Sequence, residues 1–211
     1  MSHRRIIYLH GFASSPQSKK ALFFAGKLAA EGFAVEVPDL AAGDFEHLTI
    51  SRQLRILGEL LKQERATLIG SSLGGYLAAL AAVRHPQVEK VILLAPAFGF
   101  YDLWQAEMGE EKFQKWRENG TISIFHYGEG KDLPLAFDLM EDAARYEAFP
   151  NLRQLGLIFH GVDDRVVPVN QSRGFVAGRK NIQLLEFQSG HEMTDVLDDM
   201  WSVARAFLVA L

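Results

Sequence analysis

Gly70-Ser71-Ser72-Leu73-Gly74-Gly75 is the stretch on which the reading of this chain turns. The apolar run Ala66-Thr67-Leu68-Ile69 precedes it, and a helix-like segment over 76–85 follows. A strand, then Gly-x-Ser-x-Gly, then a helix is the context in which a tight turn lifts a Ser side chain clear of a sheet. Gly70 and Gly74 stand two residues either side of Ser72 because side-chain bulk would block so sharp a turn. Alone the pattern is weak evidence, since Gly and Ser also build ordinary loops. Its weight depends on the rest of the chain.

Composition sets the bounds. A chain of 211 residues, 48% of them hydrophobic, can bury one sizeable core and reads as a single domain. With 23% charged residues and a net charge of -4, neither nucleic acid nor an anionic membrane is an expected partner. There is no Cys, which excludes disulfides, Cys-ligated metals and a Cys nucleophile, and fits a reducing cytoplasm. Residues 1–5 run straight into Ile6-Ile7-Tyr8-Leu9, so no signal peptide is expected. No apolar run approaches the roughly 18 residues of a spanning helix.

Strand-like runs are expected at 6–9, 34–37, 66–69, 88–95, 155–160 and 182–187. Helix-like runs fall between them, at 19–31, 48–63, 76–85, 170–177 and 194–211. In the second of these, Ile50, Leu54, Leu57 and Leu61 recur at helical spacing. The alternation predicts an α/β fold with a mostly parallel sheet and helices on both faces. Residues 98–151 break it. They carry Tyr101, Trp104 and Trp116 and helix-like pieces without a clear buried strand, and are too many for a simple crossover. An inserted cap over the strand ends is expected there, with its aromatics lining a pocket. The same residues packed on the sheet for stability would read alike.

A Ser hydroxyl is a poor nucleophile near neutrality, so Ser72 needs a general base, and the base an orienting carboxylate. Open parallel sheets place such groups on loops at the C-terminal strand ends. The fifth expected strand leads into His160-Gly161-Val162-Asp163-Asp164-Arg165-Val166-Val167-Pro168, and the sixth into Ser189-Gly190-His191-Glu192. Ser72, Asp164, His191 is therefore the chain order of the set, with Asp163 the rival carboxylate. The spacing from Gly161 and to Val166-Val167-Pro168 favours Asp164.

With these three loops in place the chain resembles the α/β-hydrolases. Within them it is similar to the small YqiA-like bacterial esterases, on Tyr8-Leu9-His10-Gly11-Phe12-Ala13-Ser14-Ser15-Pro16, Phe125-His126-Tyr127-Gly128-Glu129-Gly130 and Ser189-Gly190-His191-Glu192. Strands that precede the His-Gly loop in larger members have no counterpart, so a minimal sheet is expected. The resemblance implies a serine hydrolase acting on a small-molecule carboxylic ester or thioester, without cofactor or metal. It puts one oxyanion-hole N–H at Phe12, and the residue after the nucleophile, Leu73, supplies the second.

The remaining histidines and glycines carry other readings. His10 and His160 precede glycines at strand ends and read as loop-shaping groups; His126 reads as structural, His85 as a helix-end residue, and His3 and His47 as exposed. His191-Glu192-Met193-Thr194-Asp195 has Asp where a His-Glu-x-x-His zinc helix needs its second His. Gly70 to Gly75 is followed by no Lys, so it is not a phosphate-binding loop. A lyase using the same three residues, and a non-catalytic binding module on the same scaffold, are the competing functions.

Overall fold

A computed structural model describes residues 5–62 and 64–209; the expectations for His3 and for helix ends at Gln63 and Leu211 lie outside them. The described strands are β1 (Arg5–Leu9), β2 (Ala34–Glu36), β3 (Ala66–Ser71), β4 (Val88–Leu94), β5 (Thr121–His126), β6 (Lys131–Ala136), β7 (Leu155–Gly161) and β8 (Ile182–Phe187). Six of them form one sheet in the order β2-β1-β3-β4-β7-β8, every neighbour parallel. The chain steps outward from β1 to β2, then returns past β1 to β3. The C-terminal ends of β1 and β3 thus flank the point where the winding reverses, where such sheets bind ligands.

Side chains alternate across the sheet with period two. Ile7, Leu9, Leu68, Val91 and Leu93 point to one face, against α2 (Ile50–Leu61) and α3 (Leu73–Arg84). Ile6, Tyr8, Ile69, Ile92 and Leu94 point to the other, against α1 (Lys19–Ala30) and α8 (Leu197–Val209). Covering both faces is what an all-parallel sheet requires. Local chemistry starts the helices. Ser18 accepts from Ala21 N at 3.4 Å to begin α1, and Thr49 accepts from Arg52 N at 3.1 Å to begin α2. Gly32, at φ +82, turns the chain out of α1.

The long segment between β4 and β7 contains α4 (Phe100–Met108), α5 (Glu110–Asn119), the hairpin β5-β6 and α6 (Asp138–Ala143). The hairpin is the element missing from the sequence reading. It pairs antiparallel from Thr121↔Ala136 to His126↔Lys131 and stays apart from the main sheet. Ile122, Ile124 and His126 face inward and Thr121, Ser123 and Phe125 outward, so neither strand is the continuous apolar run of a buried strand. The three aromatics divide: Trp116 is buried and donates Nε1–H to Leu135 O at 3.1 Å, while Tyr101 and Trp104 are half-buried. The segment is closed at its base by Gly99 N donating to Ala148 O at 2.9 Å. At the hairpin tip Tyr127 N donates to Ala13 O at 2.8 Å, beside the loop that follows β1. Among the described residues no helix is long and apolar enough to cross a membrane.

Candidate active site

Ser72 sits between β3 and α3 at φ +53, ψ -117, a conformation L residues avoid. Its three glycines each have a steric reason. A Cβ on Gly70 would lie 2.2 Å from Gly74 O, and one on Gly74 would lie 2.3 Å from Leu9 O and 2.5 Å from His10 O. On Gly75 it would press on Gly70 O and Pro96 at 3.1 Å. The elbow is thus packed backbone to backbone against the end of β1. Gly74→Ala is expected to cost more than about 4 kcal/mol, because neither partner is a flexible side chain. Gly26→Ala, on α1 with nothing within 4 Å of the new methyl, is expected to gain about 0.5–1 kcal/mol. Thermal melts of the two would part in opposite directions; a wild-type melt for Gly74→Ala would contradict this account of the turn.

The loop after β1 lies alongside. Gly11 approaches so closely that a Cβ there would stand 3.5 Å from both Ser72 Cβ and Ser71 O. His10 is buried, its Nδ1 2.9 Å from Gly11 O and its Nε2 3.3 Å from Leu40 N. With Leu40 donating to Nε2, the ring proton belongs on Nδ1, and burial holds the imidazole in its neutral form. Phe12 turns its ring into an aromatic group, 5.0 Å from Trp104 and 5.5 Å from Phe45 between centroids. Among the described residues no other group takes the N–H of Phe12 or of Leu73.

Asp164 and His191 are brought together. Asp164 is buried, whereas Asp163 is exposed. Oδ1 of Asp164 accepts from Val166 N at 2.9 Å and Val167 N at 2.8 Å, and Oδ2 accepts from His191 Nδ1 at 2.7 Å. Gly161 makes room for this: a Cβ there would strike Ser189 O at 2.3 Å. Ser189 Oγ donates to Asp195 Oδ1 at 2.6 Å, bracing the loop that carries His191. Among the described residues no hydrogen bond joins Ser72 Oγ to His191.

Burial pushes the Asp164 carboxyl up, but hydrogen bonds from His160 and His191, the His191 charge and the Val167 N–H outweigh it and hold the group well below the usual carboxylate range. A carboxylate depressed in the folded state stabilises the fold above its unfolded value, about 3.9, and loses that contribution as pH falls through and below it. Urea unfolding at pH 7 and pH 3 should therefore show wild type losing more stability with acid than Asp164→Asn does. Equal losses would mean that the carboxylate is not held in this way.

Lys20 escaped the sequence reading. It lies in the first turn of α1, is buried, and stands 3.5 Å from His191 O and 3.4 Å from Glu192 Oε2. Burial draws its ammonium down, against the pull of Glu192. A charged residue at a helix start gives no sign of a partner 171 positions away. His47 is exposed and bonded to Asp44, and His126 is buried against Phe45, where its Nδ1 accepts from Glu129 N. Among the described residues no three His, Asp or Glu side chains are grouped as metal ligands.

Comparison with known proteins fits this architecture. The profile of a family described as "Uncharacterised protein family (UPF0227)" matches residues 5–208. No curated protein matches the chain in sequence. Solved structures share the α/β-hydrolase fold. Alpha/beta hydrolase domain-containing protein 10 from mouse is 20% identical over 97% of this chain and 89% of that one, with a TM-score of 0.81. A candidate hydrolase from Agrobacterium vitis S4 is 25% identical over 98% and 88%, with a TM-score of 0.84. Est1E from Butyrivibrio proteoclasticus, solved with ferulic acid bound, is 20% identical over 98% and 88%, with a TM-score of 0.82.

Proposed function

The chain belongs to the family described as UPF0227, with the α/β-hydrolase fold, and from that premise we propose that it is a serine hydrolase cleaving a carboxylic ester or thioester. The observation that carries the reading is the 2.7 Å bond from His191 Nδ1 to buried Asp164, at the C-terminal end of the sheet, where Ser72 stands in its strained turn. Four of the five non-Gly residues at positive φ among the described residues, Ala13, Ser72, Ala95 and Met193, lie in loops that follow β1, β3, β4 and β8. Such strain concentrates where geometry serves chemistry.

In this reading Ser72 Oγ attacks the acyl carbonyl while His191 Nε2 takes its proton. Asp164 fixes the ring with Nδ1 protonated, leaving Nε2 as the base, and balances the imidazolium. The oxyanion draws on the N–H groups of Phe12 and Leu73, each worth about 10²–10³ in kcat. His191 returns the proton to the alcohol or thiol, which leaves an acyl-Ser72. Water, activated by the same nitrogen, then releases the carboxylic acid and free enzyme. Residues 98–151 act as the cap, and Phe12 with Trp104 offers an apolar wall to the acyl group.

The test is turnover of p-nitrophenyl esters from acetate to palmitate, with the mass of acylated protein followed on Ser72. Turnover with an acyl mass confined to Ser72 is the expected outcome, and the chain-length optimum sizes the pocket. Neither turnover nor adduct with any ester would set the reading aside.

A further inference from the structure

His160 reads in sequence as a loop-shaping residue, yet its surroundings give it a more specific part. It is the next-to-last residue of β7, is fully buried, and uses both ring nitrogens. Nδ1 lies 2.8 Å from Ser172 Oγ on α7 (Asn170–Val176). Nε2 lies 2.8 Å from Val167 O and 3.3 Å from Asp164 Oδ2. A carbonyl and a carboxylate both need a donor, so Nε2 carries the proton and Nδ1 accepts from the Ser172 hydroxyl. Oδ2, the oxygen bonded to His191, therefore has two imidazole nitrogens close to it, at 2.7 and 3.3 Å.

We propose that His160 is a positioning residue for the hydrolytic site, its Nε2–H closing the acid loop through Val167 O and sharing Asp164 Oδ2 with His191. The proposal rests on the serine-hydrolase reading for its catalytic consequence, but the contact itself does not. Two backbone N–H groups pin Oδ1; His160 pins the second oxygen, so the carboxylate presents one fixed lone pair to His191. It also draws charge from that oxygen. Without it the whole carboxylate charge would fall on His191, favouring the imidazolium. The charged groups facing this cluster are Lys20 from α1, which feels Asp164, Glu192 beside it, and Glu186 on β8, which feels His160 and is paired with Arg173 of α7. All of them persist when His160 is changed, so a shift in the variants belongs to the ring.

Two amides separate the contacts. The Gln side chain reaches the Nε2 position and keeps a donor toward Val167 O and Asp164, whereas Asn reaches only the Nδ1 position and keeps Ser172 alone. For His160→Asn, kcat is expected to fall roughly 10–100-fold with KM little changed, and the acid limb of kcat/KM to move to higher pH. His160→Gln should restore most of both. The downfield proton of the Asp164–His191 bond, read by NMR without any substrate, should move in His160→Asn and return in His160→Gln. A ring that is inert toward the site predicts superimposable profiles and an unmoved proton in folded His160→Asn, and that result overturns the proposal. Should His160→Asn fail to fold, the ring nitrogens of wild-type His160, labelled with ¹⁵N, decide instead: protonation at Nε2 is required, and protonation at Nδ1 overturns it. If wild type hydrolyses no ester, the proposed function falls while the NMR result still judges the contact.

Discussion

Ser72→Ala is expected to lower kcat/KM for p-nitrophenyl esters by about 10⁴–10⁶-fold while the protein stays folded. The size follows from what is removed. Without Oγ no acyl-enzyme forms, and any remaining rate must come from water attacking a carbonyl still held by the Phe12 and Leu73 N–H groups. Such residual catalysis is about 10³–10⁴ over the uncatalysed reaction. Stability should hardly change, because Ser72 Oγ makes no hydrogen bond among the described residues and the Ala methyl occupies space already filled by Cβ. Ser72→Gly separates the two roles of the position. Glycine accepts φ +53 freely, so this variant should be as inactive as Ala yet more stable by about 1–3 kcal/mol. Catalysis and strain would then be shown to meet in one residue. Turnover within tenfold of wild type in Ser72→Ala would remove the nucleophile from the mechanism.

Ser72 was legible because its constraint is local. Gly70, Gly74 and Gly75 each answer a clash within a few residues or with the neighbouring strand, and a run of glycines around one Ser records that in sequence. The parallel sheet was legible for a similar reason, since strands buried on both faces appear as apolar runs. The hairpin β5-β6 was not read as such, although Thr121-Ile122-Ser123-Ile124-Phe125-His126 does alternate. Period two in a short, half-exposed strand is the signal that the expectation of helical pieces overrode. What no local pattern carries is the long-range polar framework. Lys20 meets the His191 loop, and Ser51 donates N–H and Oγ–H to Asp142 at 2.7 and 2.6 Å, across separations of 171 and 91 residues. These contacts are written only in the folded geometry.

Asp164→Asn should lower kcat by about 10⁴, close to 5.5 kcal/mol of transition-state stabilisation, with KM nearly unchanged. The direction of the amide is forced. Val166 N–H and Val167 N–H both point at Oδ1, so the Asn oxygen must stay there and its NH₂ must take the Oδ2 position. That places a donor against His191 Nδ1, which must then accept, and the ring proton moves to Nε2. The nitrogen facing Ser72 would then carry a hydrogen where it needs a lone pair. An electrostatic loss alone would leave the tautomer intact and cost far less. The two cases separate in the ¹⁵N shifts of the His191 ring, with Nδ1 protonated in wild type and Nε2 protonated in the variant. Asp163→Asn, changing an exposed neighbour, should keep kcat within about twofold of wild type, as surface substitutions away from a site generally do. If Asp164→Asn retained more than a tenth of wild-type kcat, or if Asp163→Asn proved the more damaging change, the orienting carboxylate would have to be sought elsewhere.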